Sequence, residues 1–123
     1  MTAPGRQVLA ARGEQRAGDY LKEKKYRILD RNYRCALGEI DLVAERDGVI
    51  VFVEVKTRTS RSFGEPEEAV TRTKQRKLGQ LAEYYLKAKQ LHGRDVRFDV
   101  LSVLENSADG TFEISHFESA FEF

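Results

Sequence analysis

Cysteine and histidine are nearly absent from this chain. Among 123 residues there is one cysteine, Cys35, and there are two histidines, His92 and His116. A single thiol excludes a disulfide framework and suits a reducing compartment. One Cys and two His also exclude a structural zinc cage. No apolar run approaches the roughly 20 residues of a membrane-spanning helix, and the opening MTAPGRQVLA lacks the apolar core of a signal peptide. Repeats and low-complexity stretches are missing too. No serine or cysteine stands at motif spacing from a histidine, and there is no glycine-rich phosphate loop, so nothing points to covalent nucleophilic catalysis. The expectation is a soluble cytoplasmic protein with no membrane partner, residues 1–123 forming one domain around one core.

What is present is charge, unevenly distributed. The net charge is +1. Divided along the chain, residues 1–35 carry a net +5, residues 36–54 a net −4, residues 55–94 a net +6 and residues 95–123 a net −6. An acidic block of 19 residues therefore lies between two basic ones. A basic rim around clustered carboxylates attracts a polyanion while holding a cation.

The periodicity predicts a helix over residues 6–24, with Ala10, Glu14, Ala17 and Leu21 on one face. Gly13 and Gly18 each weaken it by about 1 kcal/mol relative to alanine and let a neighbour approach closely. Glu14 interrupts the inward stripe. A first strand is expected over residues 26–32. Residues 38–45 alternate, with Ile40, Leu42 and Ala44 on one side and Glu39, Asp41, Val43 and Glu45 on the other. Asp47-Gly48 is a two-residue hairpin turn, followed by a strand over residues 49–57 that is apolar on both faces until Glu54. Such a strand belongs in the middle of a sheet with helices on each side. After a polar loop over residues 58–66, helical spacing runs from about residue 71 to 91 and His92-Gly93 ends it. Strands over residues 96–104 and 111–116 follow, the last one an edge strand, with a turn at residues 107–110 between them. The fold class is a mixed α/β domain in the order αβββαββ.

The hairpin also predicts a register. With Asp47-Gly48 as the turn, Arg46 pairs with Val49, Asp41 lies opposite Glu54, and Glu39 lies opposite Lys56. Opposed side chains share a face, about 4.5–5.5 Å apart at Cβ, and like charges there are destabilising. A salt bridge from Glu54 to Lys56 at a polar strand end is one resolution. Against it, Glu54 follows five consecutive apolar residues, where burying an ion costs several kcal/mol. Lys56 alone leaves surplus negative charge on Glu39, Asp41 and Glu54. Oxygen-ligated Mg²⁺ or Mn²⁺ accounts for that surplus better than a protonated acid does. If Glu14 reaches the same end of the sheet, four carboxylates and one lysine converge. Two carboxylates can fix a divalent ion on a phosphate oxygen, and a lysine beside them can position or deprotonate the attacking water.

Taken together, Glu14, the block Gly38-Glu39-Ile40-Asp41-Leu42 and the block Phe52-Val53-Glu54-Val55-Lys56-Thr57-Arg58 resemble the PD-(D/E)XK nuclease pattern. The resemblance is closest to the YraN-like family of bacterial proteins, which look like archaeal Holliday-junction resolvases. Arg31-Asn32-Tyr33-Arg34, Phe63-Gly64, Glu68-Ala69-Val70, Lys74-Gln75-Arg76 and Arg97-Phe98-Asp99-Val100 extend it over nearly the whole chain. Ile40 stands where the superfamily name expects proline. The resemblance implies a restriction-endonuclease-like fold, with Asp41 and Glu54 as metal ligands and the Val55 carbonyl as a third. It makes Lys56 the catalytic lysine and Glu14 the helix acid that orients water or a second ion. It also implies a homodimer, because resolvase-type cutting needs two active sites at one junction.

Arg58, Arg61, Arg72, Lys74, Arg76 and Lys77 follow the strand that carries Glu54, and Arg31 and Arg34 precede it. Cations at a helix start oppose the helix dipole, and phosphate contact explains why they are tolerated. These eight residues are the candidate nucleic-acid contacts. Gln80-Leu81-Ala82-Glu83-Tyr84 resembles a Gln-x-x-x-Tyr helix element of related nucleases. Phe52, Phe98, Phe112 and Phe117 read as core. Two functions compete: a Mg²⁺- or Mn²⁺-dependent endonuclease acting on DNA, branched DNA above all, and a nucleic-acid-binding module of the same fold that does not cut. A cytosolic interaction domain with neither activity is the third option.

Overall fold

The computed structural model describes residues 6–59, 70–106 and 108–121. Helix α1 spans Arg6–Glu23, followed by strands β1 (Arg27–Cys35), β2 (Gly38–Arg46) and β3 (Val49–Arg58). Helix α2 spans Arg72–Ala88, and β4 (Asp95–Glu105) and β5 (Phe112–Phe117) complete the order αβββαββ expected from the sequence. The strands lie in sequence order in one sheet, antiparallel except for the parallel pair β3–β4 that α2 connects. β3 is the middle strand, as its two apolar faces require.

Each face of the sheet has its own core. Leu78, Leu81, Ala82 and Tyr85 of α2 pack on Ile40, Val43, Ile50, Phe52, Phe98 and Val100. Ala17 and Leu21 of α1 pack on Leu42, Ala44, Val51, Val53, Leu101 and Val103. Phe52 and Phe98 are core residues, and Phe112 and Phe117 are partly buried against the two clusters. Ala10, expected on the inward stripe of α1, is exposed. The close approach at the α1 glycines is made by side chains. A Cβ on Gly13 would stand 1.9 Å from Thr57 Oγ1, and one on Gly18 would stand 2.3 Å from an Arg31 guanidinium nitrogen.

Both helices end without glycine. Tyr26 N–H donates to Leu21 O and Lys25 N–H to Lys22 O, with Lys25 left-handed at φ 72°. Leu91 N–H donates to Leu86 O and Gln90 N–H to Lys87 O, with Gln90 at φ 57°. These are Schellman caps, so α2 stops at Ala88 rather than at His92-Gly93. Tyr26 and Leu91 fold back onto the cores they belong to, which offsets the backbone strain. β1 runs three residues beyond the expected end at Asn32, continuing to Cys35.

On the α1 side lies a polar network that the sequence did not announce. Asp99 is fully buried. It accepts two bonds from Arg97, at 2.9 and 2.8 Å, and one from the Ser119 amide at 3.1 Å, while His116 Nε2 lies 2.7 Å away. Tyr20 Oη is 3.0 Å from His116 Nδ1. Burial alone would raise the Asp99 pKa, but the bonds from His116, Arg97 and Ser119 outweigh it and hold the carboxyl below its ordinary value. The unfolded chain therefore takes up the proton first as pH falls. The stability Asp99 contributes is complete above about pH 3.8 and is lost as pH drops through its lower folded-state value. Asp99→Asn is expected to cost about 3–5 kcal/mol at pH 7 by urea unfolding, and the gap to wild type should narrow as the titration moves below that range.

Candidate functional site

The site forms where β2 and β3 part. Their pairing runs from Arg46↔Val49 to Leu42↔Val53, the register fixed by the Asp47-Gly48 turn. Both turn residues have positive φ, 52° and 82°, as this hairpin type requires. Beyond Leu42 the paired ladder stops. Asp41 Oδ2 instead accepts the Val55 amide at 2.9 Å, a side chain standing in for a strand carbonyl. The expected opposition of Asp41 to Glu54 and of Glu39 to Lys56 is thus not part of the paired register. Glu39 pairs with Arg34 of β1 at 3.0 Å.

A second departure has the same origin. Ile40 packs with the α2-side core and Leu42 with the α1-side core, so the alternation reverses across Asp41 instead of keeping Ile40, Leu42 and Ala44 together. In β1, the residue between the partners of Ile40 and Leu42 is Asn32, which is left-handed at φ 50°. Asparagine tolerates that conformation better than most residues. The paired irregularity turns Glu39 and Asp41 toward α1's Glu14.

Among the described residues, Glu14, Glu39 and Asp41 bring carboxylate oxygens within 4.8 Å of one another. Burial and the charge of Glu39 raise the Glu14 pKa, opposed by a hydrogen bond from the Asn32 side chain and by Arg34. Asp41 is pushed up to about 7, first by burial, then by Glu54, with Glu14 and Glu39 adding and the Val55 amide opposing. Glu54 is 7% exposed. Its Oε1 lies 3.5 Å from Lys56 Nζ and 3.5 Å from Lys74 Nζ. The Glu54–Lys56 bridge weighed from the sequence is therefore present, and Lys74 joins it from α2.

The candidate residues separate as follows. Glu14 and Asp41 bring carboxylate oxygens within 4.8 Å of each other; Glu54 is not in that group, is close enough to raise the Asp41 pKa, and carries Lys56. Val55 is fixed beside Asp41 through its amide. Lys74 and Lys77 line an open cavity of about 350 Å³ with Gly38, Glu39, Asp41, Leu78 and Leu81. Arg34 reaches the site through Glu39, whereas Arg31 lies against Gly18 of α1. Arg72 and Arg76 are exposed on the first turns of α2, Arg58 is half-buried at the end of β3, and Arg61 lies outside the described residues, as do Phe63-Gly64 and Glu68-Ala69. Gln80 and Tyr84 are exposed. Sequence reasoning counted Glu39 among the converging carboxylates but gave it no role in the site, and it missed Asn32 as the partner of Glu14 and Lys74 as a partner of Glu54. Only the asparagine inside a strand was a usable signal.

The donor set fits a hard divalent cation. Glu14, Glu39 and Asp41 offer only carboxylate oxygens, the ligands that Mg²⁺ and Mn²⁺ prefer. Fold and site together define a small α/β protein with an acidic cluster at a sheet opening, backed by two lysines. A family model described as "Uncharacterised protein family UPF0102" matches residues 13–103, and the chain belongs to that family. The YraN-like resemblance is thereby borne out.

Relatives called UPF0102 protein include one from Caldicellulosiruptor saccharolyticus, 46% identical over 89% of this chain and 92% of its own length. Another, from Moorella thermoacetica, is 53% identical over 74% of this chain and 76% of its own. One from Syntrophomonas wolfei is 49% identical over 89% and 93%. Among solved structures, the chain is similar to Pyrococcus furiosus SfsA in complex with Ca²⁺, at 15% identity and a TM-score of 0.41. That likeness covers 92% of this chain and 65% of the SfsA chain. No helix among the described residues is long and apolar enough to cross a membrane.

The raised Asp41 pKa has a sign that can be tested. The folded state holds this proton up to about pH 7, against 3.8 for an ordinary aspartate, so stability falls as pH rises between those values. Asp41→Asn keeps an oxygen for the Val55 amide and removes the charge. In EDTA at pH 8 it is expected to raise the melting temperature by about 3–6 °C, with no difference from wild type near pH 4.

Proposed function

We propose that this protein is a divalent-metal-dependent endonuclease that hydrolyses phosphodiester bonds in DNA, branched or structured DNA above all. The observation that carries the proposal is the undercompensated carboxylate cluster at the β2–β3 opening, where Arg34 pairs with Glu39 and no ion pair among the described residues reaches Glu14 or Asp41. Three acids converge there, with one of them driven toward neutrality, and Lys56 stands on the adjoining Glu54. A cluster destabilised in this way has a purpose when a cation and a phosphate share it. When bound, Mg²⁺ or Mn²⁺ would supply positive charge to a phosphate oxygen and lower the pKa of water.

The chain's own groups do the rest. Asp41, with Glu14 and Glu39, would hold the ion; Glu54 and the Val55 carbonyl are the further ligands that the nuclease resemblance implies. Val55 is already tied to Asp41 through its amide, which fixes that part of β3 relative to the cluster. Lys56 would orient the attacking water and offset charge developing on the phosphate. Glu14, held by the Asn32 side chain, would accept a hydrogen bond from that water. Arg34, Arg58, Arg72, Lys74, Arg76 and Lys77, with Arg31 and Arg61, would meet the DNA backbone, where cations set position rather than sequence. Cutting both strands of a junction calls for two such sites, so the working form on that substrate would be a homodimer.

Incubating pure protein with labelled duplex, single-stranded and four-way-junction DNA tests this. Products are expected with Mn²⁺ or Mg²⁺ and none with EDTA. Asp41→Ala, Glu54→Ala and Lys56→Ala should each lower the rate about a hundredfold or more while circular dichroism stays unchanged. Mn²⁺ at about a hundred times its Kd should add about 2.7 kcal/mol of stability, and Asp41→Ala should remove that gain. Salt-sensitive DNA binding with no product under any metal would leave the binding module as the function.

A further inference from the structure

Glu54 has two ammonium groups on one oxygen. Lys56 Nζ and Lys74 Nζ both lie 3.5 Å from Oε1. A buried carboxylate needs a counter-ion, and Lys56, two residues along the same strand, supplies it. A second ammonium at the same oxygen is repelled by the first, so the net gain from adding it is small. Lys74 is also the more open of the two, its side chain 46% exposed against 29% for Lys56. Its backbone is fixed, because its amide donates to Thr71 Oγ1 at the helix cap at 3.2 Å. It lines the 350 Å³ cavity together with Glu39, Asp41 and Lys77. A cation held in place over a cavity, on a carboxylate that does not require it, is available for another anion.

We infer that Lys74 is a phosphate-positioning residue of this site. It rests on Glu54 until the carboxylates are neutralised by a divalent cation, then turns to a non-bridging oxygen of a substrate phosphodiester in the cavity. The inference rests on the nuclease function proposed above and assigns Lys74 a place inside the reaction site rather than on the general DNA-binding surface. Lys56 keeps its place on Glu54 and at the attacking water. The consequence is a coupling: Lys74 should contribute to DNA binding only when the metal is present.

The test compares wild type with Lys74→Met and Lys74→Arg, using Lys87→Met at the far end of α2 as the control. The affinity of a labelled phosphorothioate duplex is measured in EDTA and in Mn²⁺, KM and kcat on cleavable DNA are measured in Mn²⁺, and Mn²⁺ affinity is read from melting curves. With Mn²⁺, Lys74→Met should weaken duplex binding and raise KM about tenfold, with kcat changed much less. In EDTA it should bind as wild type does. Lys74→Arg should restore most of the loss, and Mn²⁺ affinity should be unchanged or tighter. An equal loss with and without metal would make Lys74 an ordinary surface cation and overturn the assignment. Weaker Mn²⁺ binding with KM unchanged would make it only a counter-ion for Glu54, with the same consequence. If wild type cleaves DNA and Lys74→Met behaves identically, Lys74 alone loses its role. If wild type neither takes up Mn²⁺ nor cuts, the nuclease proposal falls and the assignment goes with it.

Discussion

One hydrogen bond organises the functional end of this fold: the Val55 amide donating to the Asp41 carboxylate. A strand pair that parts inside a sheet leaves backbone donors without partners, and a buried orphan is costly. Asp41 satisfies the donor with its side chain, so β2 can leave β3 after Leu42 without that penalty. Released from the ladder, the start of β2 sends Ile40 to the α2-side core and brings Glu39 and Asp41 to Glu14 on α1. The cavity beside Lys74 and Lys77 is a consequence of the same parting. The cost is an anion placed among anions, visible in the upward shift of Asp41.

The sheet contains its own control for that cost. Asp99 is more deeply buried than Asp41 and pairs in register with Val53, the residue before Glu54. Desolvation acts on both acids in the same direction. Asp99 meets Arg97, His116 and the Ser119 amide, and its pKa goes down; Asp41 meets one amide and three carboxylates, and its pKa goes up. Two aspartates on nearby strands of one sheet have thus been given opposite surroundings. The first ties α1, β4 and the segment after β5 together, which is a folding role. The second destabilises the protein that carries it, the usual mark of a group kept for binding or chemistry.

Much of this was legible in the sequence, for identifiable reasons. The Asp-Gly turn permits one hairpin register, and Arg46↔Val49 to Leu42↔Val53 followed from it. Five apolar residues before Glu54 placed β3 in the middle of the sheet, and the paired glycines of α1 announced a close approach. Period-two reasoning failed at Asp41 because it assumes an unbroken strand. The break depends on a left-handed Asn32 in the neighbouring strand and on a side-chain-to-backbone bond, both products of tertiary contact. Helix ends failed similarly. Lys25 and Gln90 take left-handed conformations that composition assigns to glycine, and the buried contacts of Tyr26 and Leu91 make that affordable. Lys74 was visible as a charge, but its partner Glu54 lies 20 positions earlier and is reached only through the packing of α2 on the sheet.

The first turn of α2 shows how the two signs of charge belong to one design. It has no acidic residue and carries Arg72 and Lys74, the reverse of what the helix dipole favours. Thr71 caps the turn and Glu54 faces it from the sheet, yet neither removes the excess of cations there. Across the cavity the excess is of carboxylates. Direct pairing of the two walls would cancel both, but among the ion pairs of the described residues Lys74 bridges to Glu54, and Glu14 and Asp41 have no basic partner. A monovalent anion would satisfy the lysines and leave the acids as they are; a cation alone would satisfy the acids and leave the lysines. A phosphodiester together with a divalent cation satisfies both walls at once, and that is the physical ground for preferring phosphate chemistry to either kind of simple ion binding.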